Sequence, residues 1–171
     1  VFDGADTVML SAGTAAGAYP LEAVSIMASI LETAEAHIAT HPEDGPSALA
    51  VEKSVYHAVA QAAVKLANDI EAKAIVVFSA SGNTAVRIAR ERPYLPLLVL
   101  TPETSVERRL CLLWGAQTHH QAQTDYDDAI EEARAVVKAE GLGSTGQQIV
   151  VVAGMPFGIA GTTNSMRVVE L

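Results

Sequence analysis

The stretch KAIVVFSASGNTAVRIARERPYLPLLVLTP, residues 73–102, decides the fold. It opens with an unbroken apolar run, KAIVVFSA (73–80), the mark of a central strand covered on both faces. GNTAVRIARER continues as helix, and Pro93 closes it. LPLLVLTP (95–102) is the next strand. Strand, helix, strand in close succession implies a parallel sheet with crossover helices.

Outward from there the alternation continues. TSVERRLCLLWG (104–115) reads as an amphipathic helix ending at Gly115, and AQTHHQ as a short strand. YDDAIEEARAVVKAEGLG is a helix with acidic residues early and a Gly stop, as dipole and C-cap preferences predict. QQIVVVAG (147–154) is a strand and SMRVVEL (165–171) the last. About ten residues, GMPFGIAGTTN, join these two. That is too few for a crossover, so the final strand is expected antiparallel at an edge. Upstream, Ser47 is the expected N-cap of a helix whose face is Leu49, Val51, Val55, Ala58, Val59, Ala62 and Leu66.

At the N-terminal end, ADTVML (5–10) reads as a strand entering the loop SAGTAAGA. Pro20 then starts a helix with Leu21, Val24, Met27, Ala28, Leu31, Ala34 and Ile38 at helical spacing. So long an apolar stripe is expected to pack against another copy or the rest of the chain. The linker THPEDGP places a domain boundary near residue 40, giving 1–40 and 41–171.

Composition narrows the function. The formal net charge of −9 argues against nucleic acid, which needs clustered Lys and Arg. An anionic ligand must then be held by local features, such as a helix N-terminus. No apolar run reaches a membrane span, and the opening VFDGAD lacks the parts of a signal peptide. The single Cys111 cannot form an internal disulfide, so a cytoplasmic location is expected. On its apolar helix face, Cys111 reads as a buried packer.

Two loops hold candidate chemistry. Ser79, Ser81, Gly82, Asn83 and Thr84 lie between a buried strand and a helix. Free backbone N–H groups and hydroxyls there can hold a phosphate, but they equally suit ordinary helix capping. GMPFGIAGTTN offers open donors and hydroxyls at the end of a strand, where α/β sheets bind ligands, or is a plain connection. The remaining polar groups read as structural. His37, His41, His57, His119 and His120 show no metal-binding spacing. Asp125, Asp127, Asp128, Glu131 and Glu132 read as a solvated helix start, and Arg87, Arg90 and Arg92 as exposed helix charge or an anion contact. Trp114 reads as core. Ser11 and Thr14 have no base nearby and are not nucleophiles by themselves.

DGADTVMLSAGTAAGAYPLEAV resembles the pyruvate kinase segment usually written DGADxxMLSxETAxGxYPxEAV. AIVVFSASGNTAVRIARERP is similar to that family's effector loop, and GTTNSMRVVEL to its C-terminal strand. The likeness runs through the whole chain in order. It implies a remnant of a (β/α)₈ barrel over residues 1–40, with Ser11 and Thr14 at the rim of an active site completed elsewhere. It implies that 41–171 is a three-layer α/β/α domain with a five-stranded mixed sheet. The family transfers phosphoryl from phosphoenolpyruvate to ADP in glycolysis, with Mg²⁺ and K⁺. No catalytic or metal-binding residue is expected in this chain, which by itself is expected to be inactive. Its implied role is to bind a phosphorylated effector and assemble a homotetramer. Ser79, Ser81, Gly82, Asn83 and Thr84 would hold the phosphate, with Gly158, Gly161 and Thr162 closing over it. Two positions depart from the pattern. Gly13 stands where the family has Glu, and Asn83 where many members have Arg or Lys; the latter suits a monophosphate, or no effector. A stand-alone phosphometabolite sensor and a purely structural assembly domain are the alternatives.

Overall fold

The computed structural model describes residues 1–46, 53–122, 125–157, 159 and 161–171. The chain divides into two compact units, Val1–Ala48 and Leu49–Leu171.

In the first unit a short helix, α1 (Ala12–Ala15), is followed by α2 (Pro20–Thr40). Pro20 sits at the start of α2, where its missing N–H costs nothing. The expected strand at 5–10 does not form. A strand needs a neighbour for its backbone N–H and C=O groups, and the described part of this unit offers none. Of the predicted α2 stripe only Ile38 is buried, while Leu21 and Val24 are exposed.

The second unit is built on five strands: β1 (Ile75–Phe78), β2 (Leu97–Thr101), β3 (Ala116–His120), β4 (Gln148–Gly154) and β5 (Thr163–Glu170). Their order is β3-β2-β1-β4-β5. All neighbours are parallel except β4 and β5, which pair antiparallel as expected. The helices are α3 (Val55–Asp69), α4 (Asn83–Arg90), α5 (Thr104–Leu110) and α6 (Tyr126–Ala139).

Side chains alternate across the sheet, which makes two cores. On one face Ile75, Val77, Leu97, Val99, Val150 and Val152 meet α3, α4 and α5. On the other, Val76, Leu98, Leu100, Ile149 and Val151 meet Ile130, Ala133 and Val137 of α6. The layers are therefore α/β/α, as predicted. Each fully buried Val, Leu or Ile contributes about 1.5–3 kcal/mol.

Helix details depart from expectation. Ser47, Leu49 and Val51 lie outside the described residues. The described helix starts at Val55, where the Ser54 Oγ accepts from the His57 N–H at 3.2 Å. Its inner face is His57, Ala60, Ala63, Val64 and Ala67, while Val55, Ala58 and Ala62 are exposed. Alanine on both sides of this helix blurs its periodicity, and the small Ala60, Ala63 and Ala67 let it lie close to the sheet. α5 stops at Leu110, short of Gly115, so Cys111 falls in the following turn and is exposed rather than buried. Its Sγ lies 3.4 Å from the Glu107 carbonyl. α6 is capped by the Asp125 carboxylate, which accepts from the N–H groups of Asp127 at 2.9 Å and Asp128 at 3.0 Å. Among the described residues no helix is long and apolar enough to cross a membrane.

Candidate functional site

The strand order reverses between β1 and β4: β2 and β3 extend one way, β5 the other. At such a switch point the loops leaving neighbouring strands diverge and open a crevice at the strands' C-terminal ends. A small cleft, partly open to solvent, lies there. It is lined by Phe78 at the end of β1, by Ser79, Ser81 and Thr84 beyond it, and by Gln121 after β3. Phe157, Gly161 and Thr162, between β4 and β5, contribute to the facing wall.

The β1–α4 turn is shaped by its glycine. Gly82 has φ +81° and is the N-cap of α4. A Cβ there would strain the backbone and meet Val106 Cγ1 at 3.1 Å. The Ser79 Oγ accepts from the Gly82 N–H at 3.0 Å and keeps its own proton to donate. Arg109 Nη2 donates to the Ser81 carbonyl at 2.5 Å, fixing the turn from α5. Thr84 and Thr163, both buried, share a short hydroxyl–hydroxyl hydrogen bond that ties α4 to β5. The first N–H groups of α4 have no acceptor within the helix and carry the positive end of its dipole.

The facing loop is held at its ends. Asn164 accepts from the Met155 N–H through Oδ1 and donates to the Met155 carbonyl through Nδ2, each at 2.8 Å. The Met155–Pro156 peptide is cis. Gly154 makes room for the returning chain, since a Cβ there would meet the Thr162 carbonyl carbon at 2.9 Å. Thr162 Oγ1 donates to the Ile159 carbonyl at 2.7 Å, and Gly161 has φ +82°. Phe157 lies edge-on to Phe78 (5.4 Å between centroids) and to Tyr126 (5.5 Å). Burial pushes the Tyr126 phenol above its ordinary 10.0; the charge and hydrogen bond of Arg167 partly offset this.

Of the residues singled out, Ser79, Ser81, Thr84, Gly161 and Thr162 line one cleft. Gly82 and Asn83 do not line it: Gly82 shapes the turn, and Asn83 is exposed at the start of α4. Gly158 lies outside the described residues. In the first unit Thr14 Oγ1 donates to the Ser11 carbonyl at 3.0 Å. Phe157, Thr163 and Asn164 fall within the run GMPFGIAGTTN read as a candidate loop, whereas Gln121 was not predicted. Gln121 had a signal, since residues just past a parallel strand's C-terminal end face the crevice.

The charged groups take other roles. Arg87 lies over the Tyr56 ring at 5.4 Å and Arg92 over Trp114 at 4.9 Å; neither lines the cleft. Trp114 is half-buried rather than core. His37 and His41 do stand four residues apart, contrary to the reading of the histidines above. Their rings stack at 4.4 Å, and His37 Nε2 lies 2.7 Å from Asp44 Oδ2. Even so, no group of three His, Cys, Asp or Glu among the described residues could hold a metal ion.

Residues 57–169 match the family model for the pyruvate kinase α/β domain. The chain belongs to the pyruvate kinase family. A pyruvate kinase from Agrobacterium vitis is 44% identical over all of this chain, which covers 36% of that protein. One from Staphylococcus haemolyticus is 37% identical over 98% of the chain and 29% of its own length. The crystal structure of a pyruvate kinase from Cryptosporidium parvum superposes with a TM-score of 0.78 at 30% identity. That match covers 95% of this chain and 32% of the crystallised one. The chain thus spans about a third of the length of these pyruvate kinases, and its residues 57–169 are the part that matches the α/β domain.

Proposed function

We propose that this chain is the regulatory and assembly part of a pyruvate kinase, and that its cleft receives the phosphate of a phosphorylated effector. The observation that carries this is the β1–α4 turn at the switch point. Ser79 and Ser81 line the cleft beside the start of α4, and no Lys, Arg or His is among the described lining residues. A phosphate would be held by hydroxyls and backbone N–H groups rather than by paired cations. Gly161 and Thr162, on a loop pinned at its ends, would close over it.

In this reading residues 1–40 are a barrel remnant, with Ser11 and Thr14 at the rim of an active site whose other residues lie outside this chain. The complete protein, a cytoplasmic homotetramer, transfers phosphoryl from phosphoenolpyruvate to ADP in glycolysis. Mg²⁺ and K⁺ belong to that protein; the described residues here contain no cluster that fits a metal ion. An effector acts by preferring one quaternary state, and only its differential affinity counts.

Thermal unfolding of the chain with phosphate esters tests the proposal. Ligand at a hundred times its Kd adds about 2.7 kcal/mol, roughly 5–10 °C in Tm for a domain of this size. Ser81→Ala and Thr84→Val should reduce that shift. Absence of a shift with any phosphate ester would end the effector reading, and ATP formation by the pure chain would end the non-catalytic one.

A further inference from the structure

The turn between β1 and α4 is gripped from α5. A Cβ at Gly82 would meet Val106 Cγ1 at 3.1 Å, Arg109 Nη2 at 3.2 Å and Leu110 Cδ1 at 3.2 Å, so all three side chains lie against the Gly82 backbone. Arg109 Nη2 also donates to the Ser81 carbonyl at 2.5 Å. The peptide joining Ser81 to Gly82 is trans, so its C=O and N–H point opposite ways. With the carbonyl on Arg109, the Gly82 N–H donates to the Ser79 Oγ at 3.0 Å.

That peptide has a second orientation within reach. Gly82 has φ +81° and ψ −7°, close to the values of the third residue of a type II turn. In a type I turn the same residue has φ about −90° and ψ about 0°. The two forms differ by a half-rotation of the preceding peptide, and glycine accepts both. After the rotation the Ser81 carbonyl would face Ser79 and take up its hydroxyl proton. The Gly82 N–H would then face the Arg109 guanidinium, donor against donor.

We propose that the Ser81–Gly82 peptide is a two-position switch and that Arg109 is the positioning residue that locks it. In the locked form Ser79 accepts from Gly82, and its own proton stays available to the cleft that Ser79 lines. In the rotated form the Ser81 carbonyl takes that proton. Arg109 is not among the described lining residues, so it sets the cleft's donor from outside, through one charge-assisted hydrogen bond. The lock acts whatever the cleft receives and is independent of the effector reading.

Solution NMR of the full 171-residue chain tests this. The couplings between the Gly82 N–H and its Hα protons report φ, and the exchange rate of that N–H reports its bond to Ser79. The unmodified chain should show one left-handed form. Arg109→Met should add the rotated form and speed Gly82 exchange about tenfold, as the loss of one charge-assisted hydrogen bond predicts. Arg109→Lys, which can still donate to a carbonyl, should restore most of the protection. The amides of Val76 and Val99, in the sheet, should exchange as before. Unchanged couplings and exchange in Arg109→Met overturn the lock. So does an equal acceleration at Val76 and Val99, which would mean general loosening, and so does a Lys variant that behaves as Met. Should Arg109→Met not fold, the other two chains decide. Two Gly82 forms in comparable amounts in the unmodified chain overturn the assignment, and a single left-handed form kept by Arg109→Lys supports it.

Discussion

Helices α2 and α6 are both alanine-rich and both carry an apolar stripe. α2 runs 21 residues and buries Ile38; α6 runs 14 and buries Ala129, Ile130, Ala133 and Val137. The difference is what each has to lie on. α6 covers one face of a sheet, whereas α2 has no sheet in its own unit, and Leu21, Val24, Ile26 and Ile30 stand exposed. Periodicity says which face of a helix is apolar; only a partner surface makes that face a core.

The sharpest way to break this contrast is one substitution made twice. Leu98→Ala, in the sheet, should cost about 2–5 kcal/mol in denaturant unfolding. Leu21→Ala, in α2, should stay within about 0.5 kcal/mol. Similar losses at both sites would mean that α2 is packed in solution. Next come two glycines. Gly82→Ala should cost about 1–2 kcal/mol, because the left-handed backbone strains any side chain there. Gly13→Ala should be neutral or raise stability by up to about 1 kcal/mol, since no atom lies within 4 Å of a Cβ at that helical position. A smaller step compares caps. Asp125→Ala should cost about 1 kcal/mol, and Tyr19→Ala, where the cap makes no side-chain bond, close to nothing.

The smallest effect concerns pH. The Tyr126 phenol ionises above 10.0 in the folded chain because burial disfavours the phenolate. Its stabilising contribution is whole below about pH 10 and is lost as the pH rises through the raised folded value. Urea unfolding above pH 9 should therefore show a steeper fall for the unmodified chain than for Tyr126→Phe. Matching slopes would remove this contribution.

The sheet was largely legible, because β1, β2 and β4 are unbroken apolar runs and β5 follows too closely to cross over. The start of α6 was legible from its acidic residues, although Asp125, read as part of a solvated face, turns out to be its N-cap. Residues 5–10 misled for a general reason: a strand is a property of a pair, and the sequence shows one member. Alanine hid the inner face of α3. Both loops of the cleft could be read locally, one from Ser79 to Thr84 and the other from the run GMPFGIAGTTN. Gln121 could not, because only the sheet order brings it to the cleft.

The double hydrogen bond between Asn164 and Met155 has a consequence for variation. It closes the hairpin at its base, so the register of β4 and β5 does not depend on the residues at its tip. The tip beyond Phe157 can take added residues at a cost that rises only slowly with length, provided Phe157 keeps its contacts with Phe78 and Tyr126. It is the natural place to graft a new recognition sequence while leaving the sheet beneath intact.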